Sequence, residues 1–140
     1  MKKTTAQLLD ALKKDSNIKY FLNSYKDEFI NSSLAQYLNE LLSEKNIDKA
    51  RAIENANLNT QYGYQIFAGQ KNPSRDKLLQ LAFGMSLDLK SAQRLLNIAG
   101  VNELHPRNQR DSIIIFAFNN SLSLMECEEL LDEMGEYTIQ

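Results

Sequence analysis

Residues 45–74 (KNIDKARAIENANLNTQYGYQIFAGQKNPS) constrain the fold more than any other segment of this chain. Capping and helix-breaking residues stand where two short helices, over about 49–56 and 60–68, would begin and end. These residues are Asp48, Asn59 or Thr60, Gly69, Pro73 and Ser74. Two short helices joined by a tight turn form a helix-turn-helix, which can lay its second helix in the major groove of DNA. The segment therefore makes DNA reading the first hypothesis to weigh against the rest of the sequence.

The composition of the whole chain predicts an all-α fold. Leu, Ala, Lys, Glu and Gln dominate, and the 140 residues include one Val, five Gly and two Pro. Apolar residues at helical spacing indicate further helices near positions 6–12, 18–30, 34–44, 74–83 and 89–99. We therefore expect a multi-helix orthogonal bundle, with 43% hydrophobic residues available for its core.

The C-terminal part of the chain repeats an earlier part. Residues 75–100 align without a gap onto residues 110–135, at an offset of 35 positions, and ten of the 26 pairs are identical. This similarity predicts a second helical hairpin that packs on the first. The expected organisation is an N-terminal helical extension (1–31), a helix-turn-helix DNA-binding domain (32–100) and an acidic C-terminal hairpin (101–140) packed on that domain.

The charges divide the chain into a basic body and an acidic tail. All sixteen Lys and Arg lie within residues 1–110, against eleven Asp and Glu, which gives +5. Residues 111–140 hold seven acids and no base, which gives −7. The basic body is compatible with nucleic-acid binding. The acidic tail is either a solvated helix face or a surface for a protein partner, and both readings stay open at this point.

The second helix of the 45–74 segment carries the residues that we expect to contact DNA. Positions i, i+1, i+4 and i+5 share one side of a helix, and Gln and Thr can contact adenine and thymine edges. The expected base contacts are Thr60, Gln61, Tyr64 and Gln65. Polar and basic residues around this helix are expected to bind phosphates without reading sequence. They are Lys49, Asn59, Lys71 and Arg75.

Residues 41–96 resemble the Cro/phage-repressor (XRE-type) helix-turn-helix family. The resemblance rests on LLSEKNI, on the spacing to the turn, and on QIFAGQKNPSRDKLLQLAFGMSLDL, which is similar to the family's I-x-x-G-x-R-x-P-S-x-x-x-L-x-x-L-A run. It implies a sequence-specific regulator of transcription that binds double-stranded DNA as a homodimer on paired half-sites. It also implies a phosphate contact for Lys49 and base-facing positions for Thr60, Gln61 and Gln65.

Three features depart from the family pattern. Ala56 and Asn57 stand where the family usually has Leu-Gly, and Phe67 replaces a common Glu. Gly63 replaces a core aliphatic residue and costs the helix roughly 0.5–1 kcal/mol relative to Ala. Either the neighbouring tyrosines refill the space beside Gly63, or Gly63 admits a closely packed neighbour.

Catalytic, metal and membrane chemistry are not expected. His105, the only histidine, precedes a proline, and Cys127, the only cysteine, fits a small apolar helix position in a reducing compartment. No phosphate loop or nucleophile motif is present, and no run reaches the ~20 apolar residues of a membrane span. We therefore predict a cytoplasmic protein that is not an enzyme and needs no cofactor.

Three questions remain open. The chain could be a non-catalytic protein–protein interaction module on a helix-turn-helix-like fold, with the acidic hairpin as its docking surface. The aromatic stripe at positions 20, 21, 25 and 29 is either core or a dimer surface. The apolar run 113–118 predicts a helix buried on most sides, either by the domain itself or by a second subunit.

Overall fold

The computed structural model of the protein describes residues 4–24 and 33–140, and the regular structure within them is entirely α-helical. The helices are α1 (Thr5–Lys14), α2 (Ile18–Ser24), α3 (Leu34–Lys45), α4 (Lys49–Asn55), α5 (Thr60–Phe67), α6 (Arg75–Gly84), α7 (Leu89–Ile98), α8 (Gln109–Asn119) and α9 (Leu124–Glu133). The all-α class predicted from the composition is confirmed. The chain divides into two compact units, 1–31 and 32–140, so the predicted regions 32–100 and 101–140 both lie within the second unit.

The described part of the first unit contains α1 and α2. The side chain of Thr4 accepts a hydrogen bond from the Gln7 N–H, and the Gln7 side chain accepts one from the Thr4 N–H. This reciprocal cap fixes the start of α1, none of whose residues is buried. Of the aromatic stripe, Tyr20 is exposed and Phe21 is buried, whereas positions 25 and 29 lie outside the described residues.

The seven helices of the second unit all end in the same way. After each helix one residue takes the left-handed backbone conformation, and the next residue donates its N–H to the carbonyl five positions back. The left-handed residues are Asn46, Asn57, Gly69, Ser86, Gly100, Ser121 and Gly135. This Schellman arrangement satisfies carbonyls that would otherwise be unpaired and stops each helix at a defined residue. The predicted role of Gly69 is confirmed.

Helices α4 and α5 are separate helices joined by a four-residue turn, as residues 45–74 predict. The Asp48 and Asn59 side chains cap them, each accepting a hydrogen bond from the backbone N–H three residues on. At the crossing, a Cβ added to Gly63 would lie 2.5 Å from Cγ2 of Ile53. Gly63 therefore serves the close approach of α5 to α4, the second of the two possibilities that the sequence allows, rather than a gap that tyrosines refill.

Helix α6 lies at the centre of the second unit and packs most extensively on α4. A Cβ on Gly84 would lie 2.5 Å from the carbonyl oxygen of Ala52, so the two backbones almost touch. Gln80 is buried beside this contact, and its Nε2 donates to the Ala56 carbonyl oxygen at 2.9 Å. The bond satisfies one of the last carbonyls of α4.

The repeated sequence folds into two hairpins of the same form, α6–α7 and α8–α9. Their contacts are reciprocal: Arg75 pairs with Asp111 of the second repeat, and Arg110 pairs with Asp76 of the first. The equivalent rings of Phe83 and Phe118, 35 positions apart, stack with centroids 4.2 Å apart. Such exchanged contacts are those of two similar bodies related by an approximate two-fold axis.

The correspondence extends beyond the residues that align in sequence. The backbone N–H of Leu104 donates to Oε1 of Gln93, and that of Ile139, 35 positions later, donates to Oε1 of Glu128, both at 2.7 Å. Leu104 and Ile139 are both buried. Each hairpin therefore includes the extended segment that follows it, and the C-terminal end of the chain is part of the core.

Candidate nucleic-acid interface

Helix α5 is buried on one side and exposed to solvent on the other. Its buried residues are Gly63, Ile66 and Phe67. Of the four predicted base contacts, Thr60, Gln61 and Tyr64 are exposed, and Gln65 is half-buried at the edge of the same side. The structure therefore brings these four side chains together on a single outward surface, here called the α5 face.

The exposed start of α5 adds backbone donors to this face. The Asn59 side chain accepts a hydrogen bond from the Tyr62 N–H at 3.0 Å, which leaves the first N–H groups of the helix free for an outside acceptor. Asn59 itself is exposed, so its predicted role beside phosphate is compatible with its role as cap. The α5 face has hydroxyl, amide and phenol groups but no charged side chain.

The two predicted lysine contacts are placed differently. Lys71 is exposed in the segment after α5, and among the described residues no ion pair includes it. Lys49 is half-buried, with its Nζ 5.5 Å from the centre of the Phe67 ring. Phe67, which stands where the resembled family has Glu, thus packs in the core and holds the Lys49 ammonium by a cation–π contact.

Arg75 uses its guanidinium inside the protein. Its Nε donates to the Asn102 carbonyl at 2.8 Å and its Nη2 to the Glu103 carbonyl at 3.1 Å. Nη1 and Nη2 also bond the two carboxylate oxygens of Asp111, at 3.1 and 2.8 Å. Four hydrogen bonds occupy nearly all of its donors. The phosphate contact predicted for Arg75 stays a prediction.

Two basic residues near α4 were not singled out from the sequence. Lys45 and Arg51 line an open cleft of about 800 Å³ between the end of α3, helix α4 and the turn after α6. No sequence signal distinguishes them from other surface lysines and arginines, because the cleft is formed by segments about 40 residues apart in the chain.

The single cysteine and histidine have structural surroundings. Burial raises the pKa of Cys127 to about 12, so its thiol stays neutral. His105 accepts a hydrogen bond at Nδ1 from the Arg107 N–H, 3.1 Å away, within the bend before α8. In residues 4–24 and 33–140, no group of three or more potential metal ligands comes together.

The acidic hairpin presents both carboxylates and apolar side chains. On α9, Glu129, Asp132 and Glu133 are exposed, while Glu128 accepts hydrogen bonds from the last two backbone N–H groups of the chain. Three large apolar side chains are exposed around them. These are Met125, Met134 and Tyr137.

No protein-family model, curated protein or solved structure matches this chain. The likeness to the phage-repressor family accordingly stays a resemblance of sequence motifs. None of the helices in the described residues has the length and apolar character needed to cross a membrane.

Proposed function

We propose that this protein is a sequence-specific regulator of transcription, which binds double-stranded DNA as a homodimer and inserts the N-terminal half of α5 in the major groove. The observation that carries the proposal is the division of α5 into a buried apolar side and the open, uncharged, polar α5 face. A recognition helix needs this combination, because its inner side must fix the docking angle while its outer side meets base edges.

The side chains of the α5 face suit adenine and thymine edges. A Gln amide can donate to and accept from adenine N7 and N6 in a bidentate way, and a Thr methyl group can contact the methyl group of thymine. Gln61 and Thr60 occupy the first turn of α5, where a recognition helix comes closest to the bases. The absence of Arg on this face favours an A·T-rich half-site over one read through guanine.

Because the α5 face is uncharged, electrostatic affinity must come from residues beside it. Lys71 and Lys49 together neutralise about two phosphates in each copy. The logarithm of the binding constant should then fall with the logarithm of the salt concentration with a slope of about −2 per copy, or about −4 per dimer. A steeper slope would assign phosphate contacts to Lys45 and Arg51 near α4 as well.

The experiment is a binding titration on a duplex enriched from random sequences, measured by fluorescence anisotropy at several salt concentrations. Gln61→Ala is expected to lose roughly 1–3 kcal/mol of discrimination at one base pair. Lys71→Ala should weaken binding to all sequences alike and lower the salt slope by about 1 per half-site. Gln36→Ala, which changes an exposed glutamine on α3, is the matched control and should leave both unchanged. Equal effects of Gln61→Ala and Gln36→Ala would count against a reading role for α5.

A second function, a protein-interaction module, is favoured by the exposed apolar side chains of the acidic hairpin. Met125 and Tyr137 are 71% and 88% exposed, among carboxylates that no base in residues 111–140 neutralises. Deleting the hairpin would not test this function, because Ile114 and Leu131 belong to the core. A folded Glu129→Lys variant that keeps DNA binding but loses a partner would assign the function to α9.

A further inference from the structure

The two hairpins differ in how their first helices are covered. In the first repeat, α4 packs on the side of α6 that carries Gln80 and Gly84, and the neighbouring Leu81 has no exposed surface. The equivalent residues of α8, 35 positions later, are Ile115, Phe116 and Asn119. Phe116 is 53% exposed.

The helices of the second unit leave this side of α8 open. Helix α8 packs mainly on α9 and α7, and no other helix of residues 33–140 takes the place that α4 takes on α6. Within run 113–118 the domain itself buries Ile114, Ala117 and Phe118 but leaves Phe116 exposed, so burial of Phe116 by a second subunit stays a prediction. Because the two hairpins are approximately symmetric and one helix, α4, covers α6, a single helix would fit the equivalent side of α8.

The open side of α8 carries no charge. Ser112, Ile115, Phe116 and Asn119 lie at i, i+3, i+4 and i+7 and form one stripe, here called the α8 face. Phe116 and Asn119 are exposed, whereas Ile115 is half-buried against the core and the Ser112 hydroxyl donates to the Pro106 carbonyl oxygen at 2.6 Å. The two charged residues of α8, Arg110 and Asp111, turn away and pair with the first repeat. Small polar residues stand at both ends of the stripe, and large apolar residues stand at its centre.

We propose that the α8 face binds the α8 face of a second copy of this chain, with the two helices antiparallel. Antiparallel pairing about a two-fold axis places Ile115 against Phe116 of the partner subunit and Ser112 against Asn119 of the partner subunit. A two-fold interface must be self-complementary, and this stripe is, because its pattern is the same in both directions. Pairing two copies of the α8 face buries no unpaired charge in the interface. A basic partner would bury its own charges against this uncharged surface, which disfavours such a partner.

The sizes of the side chains fit this arrangement. Gly84 lets α4 approach α6 almost to backbone contact, but its counterpart Asn119 and the ring of Phe116 hold a partner helix further away. Interaxial distances of 8–10 Å are usual for helices with such residues between them. The six acids that follow Asp111 in each copy repel those of the other copy, so added salt should strengthen the dimer.

The interface rests on the proposed function, because binding to paired half-sites requires two copies of the chain. It can be tested without DNA. Sedimentation equilibrium of the full chain should show a monomer–dimer equilibrium in the micromolar range. Phe116→Asp should weaken it by about 30-fold or more, the effect expected for a central interface residue. Tyr137→Asp, equally disruptive in chemistry but outside the α8 face, should leave it unchanged, and circular dichroism checks that both variants fold.

Cysteine cross-linking tests the antiparallel register. A mixture of Ser112→Cys and Asn119→Cys proteins should form a mixed disulfide faster than either variant forms a disulfide with itself. The native Cys127 is fully buried and remains in place as an internal control. A wild-type chain that stays monomeric at submillimolar concentration, equal weakening by Phe116→Asp and Tyr137→Asp, or faster self-linking of Ser112→Cys would overturn the proposal.

The outcomes separate the interface from DNA reading. If Phe116→Asp dissociates the dimer but the wild-type chain selects no DNA motif, the interface is supported and the DNA-binding proposal is refuted. If the chain binds a DNA motif as a monomer and Phe116→Asp does not change its sedimentation, DNA reading is supported and the interface is refuted.

Discussion

Gly63→Ala is the substitution that tests most sharply how α5 is positioned. The added Cβ would lie 2.5, 2.7 and 2.9 Å from Cγ2, Cγ1 and Cδ1 of Ile53. Real Cβ atoms essentially never come this close to a neighbour, and Ile53 cannot move aside because it is only 1% exposed and branched at Cβ. Either α5 moves away from α4 or the Ile53 side chain leaves its rotamer.

The two opposing contributions can be compared. Overpacking a core costs typically about 1–3 kcal/mol, and three close atoms place this site toward the upper end. Alanine is the better helix former by about 1 kcal/mol. The free energy of unfolding should therefore fall by about 1–2 kcal/mol, although an exposed Gly→Ala change inside a helix ordinarily raises it.

A double-mutant cycle with Ile53→Ala supplies the control. Ile53→Ala alone should cost about 2–5 kcal/mol, because it empties a buried site. On that background the clash is gone, so Gly63→Ala should now stabilise the protein by about 1 kcal/mol. Urea unfolding followed by circular dichroism gives all four values. A stabilising Gly63→Ala in the wild-type chain, or the same effect on both backgrounds, would refute the packing argument.

Three further predictions follow from the core. Gly84→Ala should lower the free energy of unfolding by about 3 kcal/mol or more in total, which exceeds the effect of Gly63→Ala, because the added Cβ would meet the backbone oxygen of Ala52 rather than a side chain. Thermal unfolding compares the two variants. Arg75→Met should cost about 3 kcal/mol in urea unfolding, because it leaves the buried Asp111 carboxylate without its cation, and the effect should shrink when Asp111 is also changed to Asn. Cys127 should resist a thiolate-specific reagent at pH 8 until the protein unfolds, because burial raises its pKa to about 12 and keeps the thiol neutral; rapid labelling of the native protein would contradict this.

Local chemistry in the sequence was sufficient to locate the helix ends around the turn. Asp48 caps α4 as predicted, Asn59 rather than Thr60 caps α5, and Gly69 takes the left-handed conformation after α5. Each of these depends on a residue's own backbone preference or on a hydrogen bond within three positions, so neighbouring residues decide it.

Contacts between distant residues were harder to predict. The guanidinium of Arg75 lies in a network with Asp111, 36 positions later, a pairing that the residues next to Arg75 do not indicate. The duplicated Arg-Asp pair was a usable signal, because two repeats packed about a two-fold axis can exchange such partners. For Gly63 the sequence left two possibilities, and only the position of Ile53 decides between them. The exposure of Phe116 likewise depends on whether another helix covers α8. The spacing of apolar residues within α8 does not give that information.

Selection from a pool of random duplexes, with the full wild-type chain as bait, tests the DNA-reading proposal most directly. We predict enrichment of one A·T-rich half-site, present in two copies of opposite orientation. The same selection with Gln61→Ala should relax the preference at one position of each half-site and leave the others. A folded wild-type protein that enriches no sequence above the starting pool would contradict DNA reading by α5.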